Sequence, residues 1–213
     1  MEARETVFIV DDDSSICEGL CNLFESVGIN AENYPSAEAF LEQWNSEKAG
    51  CLVLDVRLPG MTGVEFQDRM VQAGIFLPII FMTAHGDIPM VRKVMKAGAV
   101  EFLTKPFQQE ELLHAVTQAF AIDSARRREQ AVFNSIRTRV DLLSQREREV
   151  MAMVTAGRLN KQIAAELNLS EITVKLHRRH VMEKMQVESL ADLVKACALL
   201  AQYSQVSAQF KNL

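Results

Sequence analysis

Short apolar runs recur at regular intervals through the first half of the chain, each bounded by Gly, Pro or Asp. They are Thr6–Val10, Cys51–Leu54, Leu77–Met82 and Val100–Leu103, with a weaker run near Ala31–Tyr34. The segments between them carry apolar residues at helical spacing, for example Ile16, Leu20, Leu23, Phe24 and Val27. Runs of this length predict strands that are buried on both faces. Five strands alternating with five helices predict a doubly wound α/β domain with a five-stranded parallel sheet.

The second half has a different pattern, which from about Leu143 predicts an all-α domain of four helices. The expected caps and turn residues are Ser144 with Glu147, Gly157, Asn160, Asn168 and Ser170. Ser144 and Glu147 have the spacing of a capping box, and Ser170 is expected to cap a third helix, Glu171–Met185. Two short helices joined by a tight turn are typical of a helix-turn-helix domain.

Neither glycine nor proline occurs between residues 108 and 156, and the segment 123–140 is polar and rich in arginine. This composition favours a helix over a flexible tether, so we expect the helix at Gln108–Ala121 to continue into the segment. Its arginines could contact an acidic domain or DNA phosphates, or the segment could be a solvated helical connector. We therefore divide the chain into residues 1–122, a helical linker 123–140, and residues 141–213.

Charge separates the two halves more sharply than the net charge of −5 suggests. Residues 1–123 carry 8 Lys and Arg against 19 Asp and Glu, a net of −11, whereas residues 124–213 carry 15 against 9, a net of +6. An acidic module joined to a basic one is compatible with a polyanionic partner. The sequence shows no secretory signal and no membrane-length apolar stretch, so we expect a cytoplasmic protein without a membrane partner. The four cysteines match no zinc spacing and are interpreted as reduced thiols.

Polar side chains stand at the ends of the apolar runs of the first half. They are Asp11, Asp12 and Asp13 after the first run, Asp55 after the second, Thr83 after the third and Lys105 after the fourth. Ligands of doubly wound domains bind at the carboxyl ends of the strands, where these side chains should meet. Converging carboxylates repel one another unless a cation lies among them, and Mg²⁺ (or Mn²⁺) prefers such oxygen ligands. A carboxylate beside that ion can accept a phosphoryl group.

The first half resembles the receiver domain of bacterial response regulators over roughly residues 4–122. The matching stretches are VFIVDDD (7–13), CLVLDVRLPGMTGVEF (51–66), IIFMTAHGD (79–87) and AVEFLTKPF (99–107), and they are most similar to the FixJ/NarL type. The resemblance implies that Asp55 is the phosphoacceptor, with Asp11, Asp12, Asp55 and the backbone carbonyl of Arg57 as metal ligands. It also implies that Thr83 is the switch hydroxyl, Phe102 the aromatic switch residue and Lys105 the phosphate-binding lysine. Lys105–Pro106 resembles a cis peptide of this family.

Three positions near the acceptor bear on the lifetime of an acyl phosphate. Ala84 is small and should leave room for a phosphate beside Asp55. Arg57 and His85 occupy positions that influence water access in the family, so we hypothesise that they tune hydrolysis. Both could equally be solvated residues at the rim of the site.

The third helix of the second half separates into two faces when it is drawn at about 100° per residue. Val174, Val181 and Met185 should pack on the core, whereas Lys175, Leu176 and Arg179 should lie opposite. Cations beside an apolar side chain suit the major groove of DNA, although a charged outer face is commonly just solvated.

Residues 142–200 resemble the LuxR-type DNA-binding domain, on the run LSQREREVMAMVTAGRLNKQIAAELNLSEITVKLHRRHVMEKM. The resemblance implies that Lys175, Leu176 and Arg179 contact bases. It places four further residues near the phosphate backbone: Lys161, Thr173, His177 and Arg178. Asn168 replaces the usual glycine of the family but tolerates the same backbone region. The last helix, with Leu190 and Val194 in its apolar stripe, also forms dimer contacts in this family.

Together these features predict a two-component response regulator that binds specific DNA sequences and regulates transcription. The expected partners are a sensor histidine kinase, double-stranded DNA, a second copy of the chain after phosphorylation, and RNA polymerase. We expect phosphorylation to release the basic domain from the acidic one, and no enzyme activity beyond self-phosphorylation and self-dephosphorylation at Asp55. A stand-alone phosphatase is the main alternative, but Asp11–Asp13 lack the expected DxD-Thr/Val context. DNA binding that is independent of phosphorylation stays open, and an RNA-binding antiterminator is disfavoured.

Overall fold

The computed structural model describes residues 4–84 and 88–210, without the side chains of residue 88 and residues 203–210. Contacts between residues divide the chain into two compact units, Met1–Arg127 and Arg128–Leu213. Each unit is described by itself below. The predicted divisions at residues 122 and 140 stay predictions.

The N-terminal unit is built around a parallel sheet. Its elements are β1 (Glu5–Val10), α1 (Ser14–Ser26), β2 (Asn30–Tyr34), α2 (Ala37–Gln43), β3 (Ala49–Asp55), β4 (Arg57–Leu58), β5 (Met61–Thr62), α3 (Gly63–Gln72), β6 (Ile79–Thr83), α4 (Ile88–Lys96), β7 (Glu101–Thr104) and the first part of α5 (Gln109–Asp141). The main sheet has five strands in the order β2-β1-β3-β6-β7, and every pairing within it is parallel. The predicted doubly wound α/β fold is confirmed.

Both faces of this sheet are buried, as the uninterrupted apolar runs predict. Phe8 and Leu52 point to one side, where they pack with Phe40 and Phe66 in one core cluster. Their neighbours point to the other side and join a second cluster, which includes Val7, Ile9, Cys51, Val53, Phe24 and Leu112. Because successive side chains of a strand alternate between faces, one apolar run supplies both layers.

Two local features of this unit differ from the sequence pattern. β4 and β5 form a short antiparallel ribbon that the pattern does not indicate, and Thr62 at its end caps α3 in a capping box with Glu65. The predicted strand at Leu77 begins instead at Ile79, after Pro78. Proline has no N–H to donate to a neighbouring strand, which accounts for the later start.

The C-terminal unit is all-α, as predicted. After the last part of α5 it contains α6 (Gln145–Thr155), α7 (Asn160–Leu167), α8 (Glu171–Met185) and α9 (Leu190–Phe210). Its core includes Ile136 of α5, Val150 and Val154 of α6, Ile163 of α7, Val174 and Val181 of α8, and Leu193 of α9. The apolar stripe of α9 is only partly buried, because Leu193 lies in the core whereas Leu190 and Val194 are exposed.

Most of the predicted caps of this unit are confirmed, and one is wrong. Ser144 and Glu147 form a capping box, Ser170 accepts from the N–H of Thr173, and Asn168 is left-handed with φ 55°. Asn160, by contrast, is the first residue of α7 and not its cap. The N–H of the cap residue Leu159 donates to Gln162 Oε1, while Asn160 Oδ1 accepts from Arg178 Nη1 at 2.8 Å. The Asn160 side chain therefore binds a residue of α8 and does not cap α7 as predicted.

Helix α5 is a single helix of 33 residues that continues through the polar segment, as the absence of Gly and Pro indicates. No helix within residues 4–84 and 88–210 is both long enough and apolar enough to cross a membrane. All four cysteines are free, and burial raises the pKa of each thiol. Cys17 and Cys51 are buried in the apolar core and Cys21 packs against it, as interpreted from the sequence, whereas Cys197 is half-buried.

Candidate functional site

The carboxyl edge of the parallel sheet brings Asp11, Asp55 and Lys105 together. Asp11 follows β1, Asp55 ends β3, and Lys105 follows β7. Lys105 Nζ lies 2.7 Å from Asp11 Oδ2 and 2.6 Å from Asp55 Oδ2, so one ammonium bridges the two carboxylates. The Asp11 side chain is only 2% exposed, whereas those of Asp55 and Lys105 are 13% and 16% exposed. The cluster is therefore built on a buried floor and opens to solvent at Asp55.

The electrostatics of this cluster are set by burial and by the shared ammonium. Burial raises the pKa of Asp11, and hydrogen bonds from Lys105 and from the N–H of Asp13 limit the rise. Burial lowers the pKa of Lys105, but its hydrogen bonds to Asp11 and Asp55 outweigh this effect and raise the pKa above its ordinary value. Lys105 is consequently charged throughout the physiological range, and it balances only one of the two carboxylates.

Backbone contacts hold Asp55 in place from the loop that follows it. The N–H of Arg57 donates to Asp55 Oδ1 at 2.7 Å, and the N–H of Val56 donates to Met82 O at 2.9 Å. The N–H of Gly63 donates to Val56 O at 2.9 Å. A Cβ at Gly63 would lie 2.8 Å from Phe81 Cε1 and 3.0 Å from the carbonyl oxygen of Asp55. Only glycine therefore allows the start of α3 to approach the acceptor so closely.

The other residues predicted around the acceptor lie on β6 and β7. Thr83 is 1% exposed at the end of β6, and its carbonyl accepts from the N–H of Lys105 at 2.7 Å. Ala84 and Arg57 are exposed, and Phe102 is half-buried against the core. The peptide bond Lys105–Pro106 is cis, as the resemblance implies. His85 lies outside the described residues, so its predicted influence on hydrolysis stays a prediction.

The donor set at this edge fits a hard divalent cation. Asp11 and Asp55 supply two carboxylates against one ammonium, and the exposed Asp12 adds a third carboxylate at the end of β1. In the described structure the oxygens of the three aspartates do not all lie within 4.8 Å of one another, and Lys105 Nζ stands between Asp11 and Asp55. Mg²⁺ keeps several waters and binds through few carboxylates, so it does not need a closed cage of protein oxygens.

Helix α8 presents to solvent the face that is predicted to contact DNA bases, called the reading face below. Lys175 and Arg179 are exposed, and Leu176 is 50% exposed. Val174 and Val181 on the opposite side are completely or almost completely buried. The predicted division of this helix into a core face and an outer face is confirmed.

Four other residues were predicted near a phosphate backbone, and they lie in different surroundings. Lys161 is exposed on α7, and the Thr173 hydroxyl lies 2.8 Å from Ser170 Oγ at the start of α8. Arg178 is held by Asn160 Oδ1, which joins α7 to α8. His177 is half-buried, and its Nδ1 has no hydrogen-bond partner within the described part of the chain. Lys161 is thus accessible as it stands, whereas Arg178 is already engaged within the domain.

Sequence reasoning missed two features of this unit. Ile172 is 80% exposed one helical turn before Leu176, so α8 carries a short apolar stripe towards solvent. Ile172 lies four residues before Leu176, and this spacing is the sequence signal that could have indicated the stripe. Lys184 Nζ donates to Glu147 Oε2 at 2.7 Å, which joins α8 to the cap of α6. The sequence gives no sign of this pair, because its partners are on different helices.

Comparison with protein families assigns both units. Residues 7–117 match the model of the response regulator receiver domain, and residues 141–197 match that of the bacterial regulatory proteins of the luxR family. The first match alone covers more than half of the chain. It contains every residue of the acidic cluster and Lys105, and the second contains all of α6, α7 and α8.

Curated relatives and solved structures agree with the family models. Nodulation protein W of Bradyrhizobium diazoefficiens is 49% identical over 90% of this chain and 85% of its own length. Transcriptional regulatory protein FixJ of the same organism is 38% identical over 92% of this chain and 95% of its own length. The structure of the response regulator StyR matches with a TM-score of 0.83 at 45% identity, and covers 92% of this chain and 99% of that one. Full-length FixJ from B. japonicum matches with a TM-score of 0.57 at 37% identity, over 94% and 98% of the two chains. The chain therefore belongs to the FixJ-type response regulators, the two-component transcriptional regulators that join a receiver domain to a LuxR-type DNA-binding domain.

Proposed function

We propose that a sensor histidine kinase phosphorylates Asp55, and that this event controls dimerisation and sequence-specific DNA binding by the C-terminal unit. The observation that carries the proposal is the contact of Lys105 Nζ with both Asp11 and Asp55 at the carboxyl edge of the sheet. This arrangement holds a partly exposed carboxylate beside a fixed ammonium, where a phosphoryl group can be received and then neutralised.

In the proposed reaction, Asp55 Oδ2 attacks the phosphorus of a phosphohistidine. A new O–P bond forms on Asp55, the N–P bond of the donor breaks, and its electron pair returns to the imidazole. The Arg57 N–H keeps Asp55 Oδ1 in place. Lys105, which contacts Asp55 Oδ2 before transfer, then pairs with an oxygen of the bound phosphoryl group.

A divalent ion such as Mg²⁺, held by Asp11, Asp12, Asp55 and the carbonyl of Arg57, would supply further positive charge to the transferring phosphoryl oxygens. Asp11 and Asp55 each keep one oxygen on Lys105 in this structure, so the ammonium and the ion share the same carboxylates. The chain itself supplies the nucleophile, its orientation and one fixed positive charge.

The proposed switch follows from the position of Thr83 and Phe102. Thr83 lies beside the Lys105 backbone, and its hydroxyl is expected to bind a phosphoryl oxygen once Asp55 is modified. Phe102 is half-buried on β7 and can follow this movement inward. The change would reshape the surface of α4 and β7, through which we propose that two phosphorylated copies associate. A dimer on DNA could then contact RNA polymerase.

The experiment compares full-length wild type with Asp55→Asn, each with and without acetyl phosphate and Mg²⁺. Intact mass spectrometry measures phosphorylation, sedimentation velocity measures the oligomeric state, and selection from a randomised duplex library measures DNA binding. We expect only the wild type to gain mass, dimerise and enrich a specific sequence. Asp68→Asn, an exposed change on α3, is the matched control and should behave as wild type.

Two results would contradict parts of this proposal. Phosphorylation of Asp55→Asn would show that another residue is the acceptor. Equal enrichment by the wild type and Asp55→Asn, with or without acetyl phosphate, would show that DNA binding is independent of phosphorylation.

A further inference from the structure

The C-terminal unit contains a cluster of three side chains with the chemistry of metal ligands. Glu147 lies at the start of α6, and His177 and His180 lie one turn apart on α8. One ligand atom from each residue can be chosen so that all three lie within 4.8 Å of one another. Two of its three members lie on α8, the helix that carries the reading face, and none belongs to the acidic edge of the N-terminal sheet.

Glu147 is a buried carboxylate whose two oxygens have different partners. Its Oε2 accepts from Lys184 Nζ at 2.7 Å and from the N–H of Ser144 at 2.8 Å. Its Oε1 lies 3.5 Å from His180 Nδ1. Because Oε2 already holds Lys184 and Ser144, Oε1 is the oxygen that can bind a cation without releasing Lys184.

Both histidines have a ring nitrogen close to the Glu147 carboxylate. His177 Nδ1 is buried and has no hydrogen-bond partner within the described residues. A buried nitrogen without a partner costs free energy, which a metal ion bound to its lone pair would recover. His180 shares the same face of α8, because residues three apart on a helix are neighbours. Both residues are partly exposed, so the cluster lies near the surface of the unit.

We propose that Glu147, His177 and His180 form a binding site for a transition-metal dication of the Zn²⁺ class, which would join the cap of α6 to helix α8. Two imidazoles and one carboxylate leave the fourth tetrahedral position to water. Imidazole ligands favour Zn²⁺, Ni²⁺ or Co²⁺ over Mg²⁺, so this site would not compete for the ion used at Asp55. Ligand atoms of a tetrahedral zinc site lie about 3.3 Å apart. The three ligand atoms lie within 4.8 Å of one another, and Glu147 Oε1 and His180 Nδ1 are already 3.5 Å apart.

The site can be tested with Co²⁺, whose tetrahedral complexes absorb visible light far more strongly than octahedral ones. Untagged full-length protein is titrated in excess Mg²⁺, which occupies the oxygen ligands of the receiver unit. We expect an intense ligand-field band that saturates at one equivalent and disappears on addition of Zn²⁺. His177→Ala and His180→Ala should each abolish the band.

His114→Ala is the matched control, because His114 is an exposed histidine on α5 that pairs with Gln118. This variant should keep the band unchanged. Absence of the band from the wild type would overturn the proposal. So would a band that survives in His177→Ala or His180→Ala, or one that is lost in His114→Ala.

A second measurement needs no substitution and does not depend on how the variants fold. In the NMR spectrum of the wild type, Zn²⁺ should shift the imidazole proton signals of His177 and His180. The signals of His85 and His114, the other two histidines of the chain, should not move. A shift confined to His85 or His114, or no shift at all, would exclude the proposed ligands. Neither measurement involves phosphorylation or DNA, so failure here leaves the proposed function untouched.

Discussion

Asp123 accepts a hydrogen bond from the backbone N–H of Gly50 at 3.0 Å, which ties helix α5 to the start of strand β3. The carboxylate is 1% exposed and also pairs with Arg126 at 2.6 Å and with Arg127 at 3.1 Å. Arg127 in turn donates to the carbonyl groups of Ser46, Glu47 and Lys48. One buried carboxylate thus anchors α5 to the receiver unit shortly before the helix enters the C-terminal unit.

Replacing Asp123 with Ala should destabilise the N-terminal unit. The change leaves the Gly50 N–H without its acceptor and removes the anion between two arginines. Loss of such a buried partner costs about 2–4 kcal/mol, and the partial exposure of both arginines favours the lower end. Trp44 is the only tryptophan and packs on Phe8 and Phe40, so its fluorescence during urea unfolding reports this unit. Asp68→Ala, at an exposed position, should unfold as wild type, and equal midpoints for the two variants would refute the anchor.

Gly63→Ala should weaken the acceptor loop, whereas Gly19→Ala should strengthen helix α1. The added methyl at position 63 would meet Phe81 Cε1 at 2.8 Å and would push against Asp55, whereas a Cβ at Gly19 would meet nothing within 4 Å beyond the adjacent backbone of its own helix. For Gly63→Ala we expect the free energy of unfolding to fall by about 1–3 kcal/mol and phosphorylation to be slower.

For Gly19→Ala the free energy of unfolding should rise by up to about 1 kcal/mol, because alanine favours a helix interior. Trp44 fluorescence and the rate of modification by acetyl phosphate measure both effects. A Gly63→Ala protein with unaltered phosphorylation would mean that the loop adjusts without moving Asp55.

Local sequence patterns predicted most of the fold because local physics determines those parts. The strands of the sheet are continuous apolar runs, and the caps at Ser144 and Ser170 satisfy N–H groups only three residues away. The meeting of Asp55 and Lys105 was also predictable, since the carboxyl ends of parallel strands share one edge. Their individual roles came from resemblance to the receiver family and not from spacing.

The features that escaped prediction depend on partners distant in sequence. Asp123 is polar in a polar helical segment, and only the folded chain shows that Gly50 lies against it. Glu147 satisfies a local cap, but the pattern does not show that Lys184 reaches its other side. Asn160 has the composition of a cap, yet its side chain binds Arg178. In each case the side chain makes a contact with a residue distant in sequence, and its immediate neighbours in the sequence do not indicate that contact.

The ion pair between Glu147 and Lys184 should make the C-terminal unit sensitive to acid. The pKa of Glu147 falls from 4.5 to about 2 on folding, so the native state binds this proton less readily than the unfolded state. The resulting stability is fully present above pH 4.5 and is lost as the pH falls towards 2. A shift of this size corresponds to at most about 3 kcal/mol, and we expect about 1–2 because Lys184 is partly exposed.

Glu147→Gln tests this origin of the acid sensitivity. Far-UV circular dichroism during urea unfolding reports the helices of both units, whereas Trp44 fluorescence reports the N-terminal unit alone. The change in ellipticity that does not coincide with the Trp44 transition therefore measures the unfolding of the C-terminal unit. The variant should be less stable than wild type at pH 7, and the difference should shrink as the pH approaches 2. Glu149→Gln, which affects a more exposed neighbour, should show a much smaller difference. A difference for Glu147→Gln that stays constant with pH would show that packing and not charge is responsible.

Lys105→Met should strengthen divalent-ion binding while it impairs the response to phosphorylation. In the wild type, the ammonium neutralises the carboxylates of Asp11 and Asp55, which are also the carboxylates that an ion would use. Its removal leaves two converging carboxylates whose repulsion an ion relieves. Titration calorimetry with Mg²⁺ should therefore give a lower Kd for Lys105→Met and a higher Kd for Asp11→Asn. Equal affinities for wild type and Lys105→Met would show that the lysine and the ion do not compete.

Arg179→Ala and Lys161→Ala should affect DNA binding in different ways, because the two side chains stand on different surfaces. Arg179 projects from the exposed face of α8 beside Leu176, where it can reach the edge of a base pair, and its pair with Glu183 is itself exposed. Its loss should cost about 1–3 kcal/mol and relax specificity at one position of the selected sequence. Lys161 is exposed on α7, and its loss should weaken binding to all sequences alike and reduce the salt dependence by about one phosphate contact.

Fluorescence anisotropy on the selected duplex, on single-base variants and across salt concentrations separates the effects of Arg179→Ala and Lys161→Ala. Lys195→Ala, a largely exposed change on α9, is the control for loss of charge alone. If Arg179→Ala weakened every sequence equally, α8 would be bound to the backbone and would not read the groove.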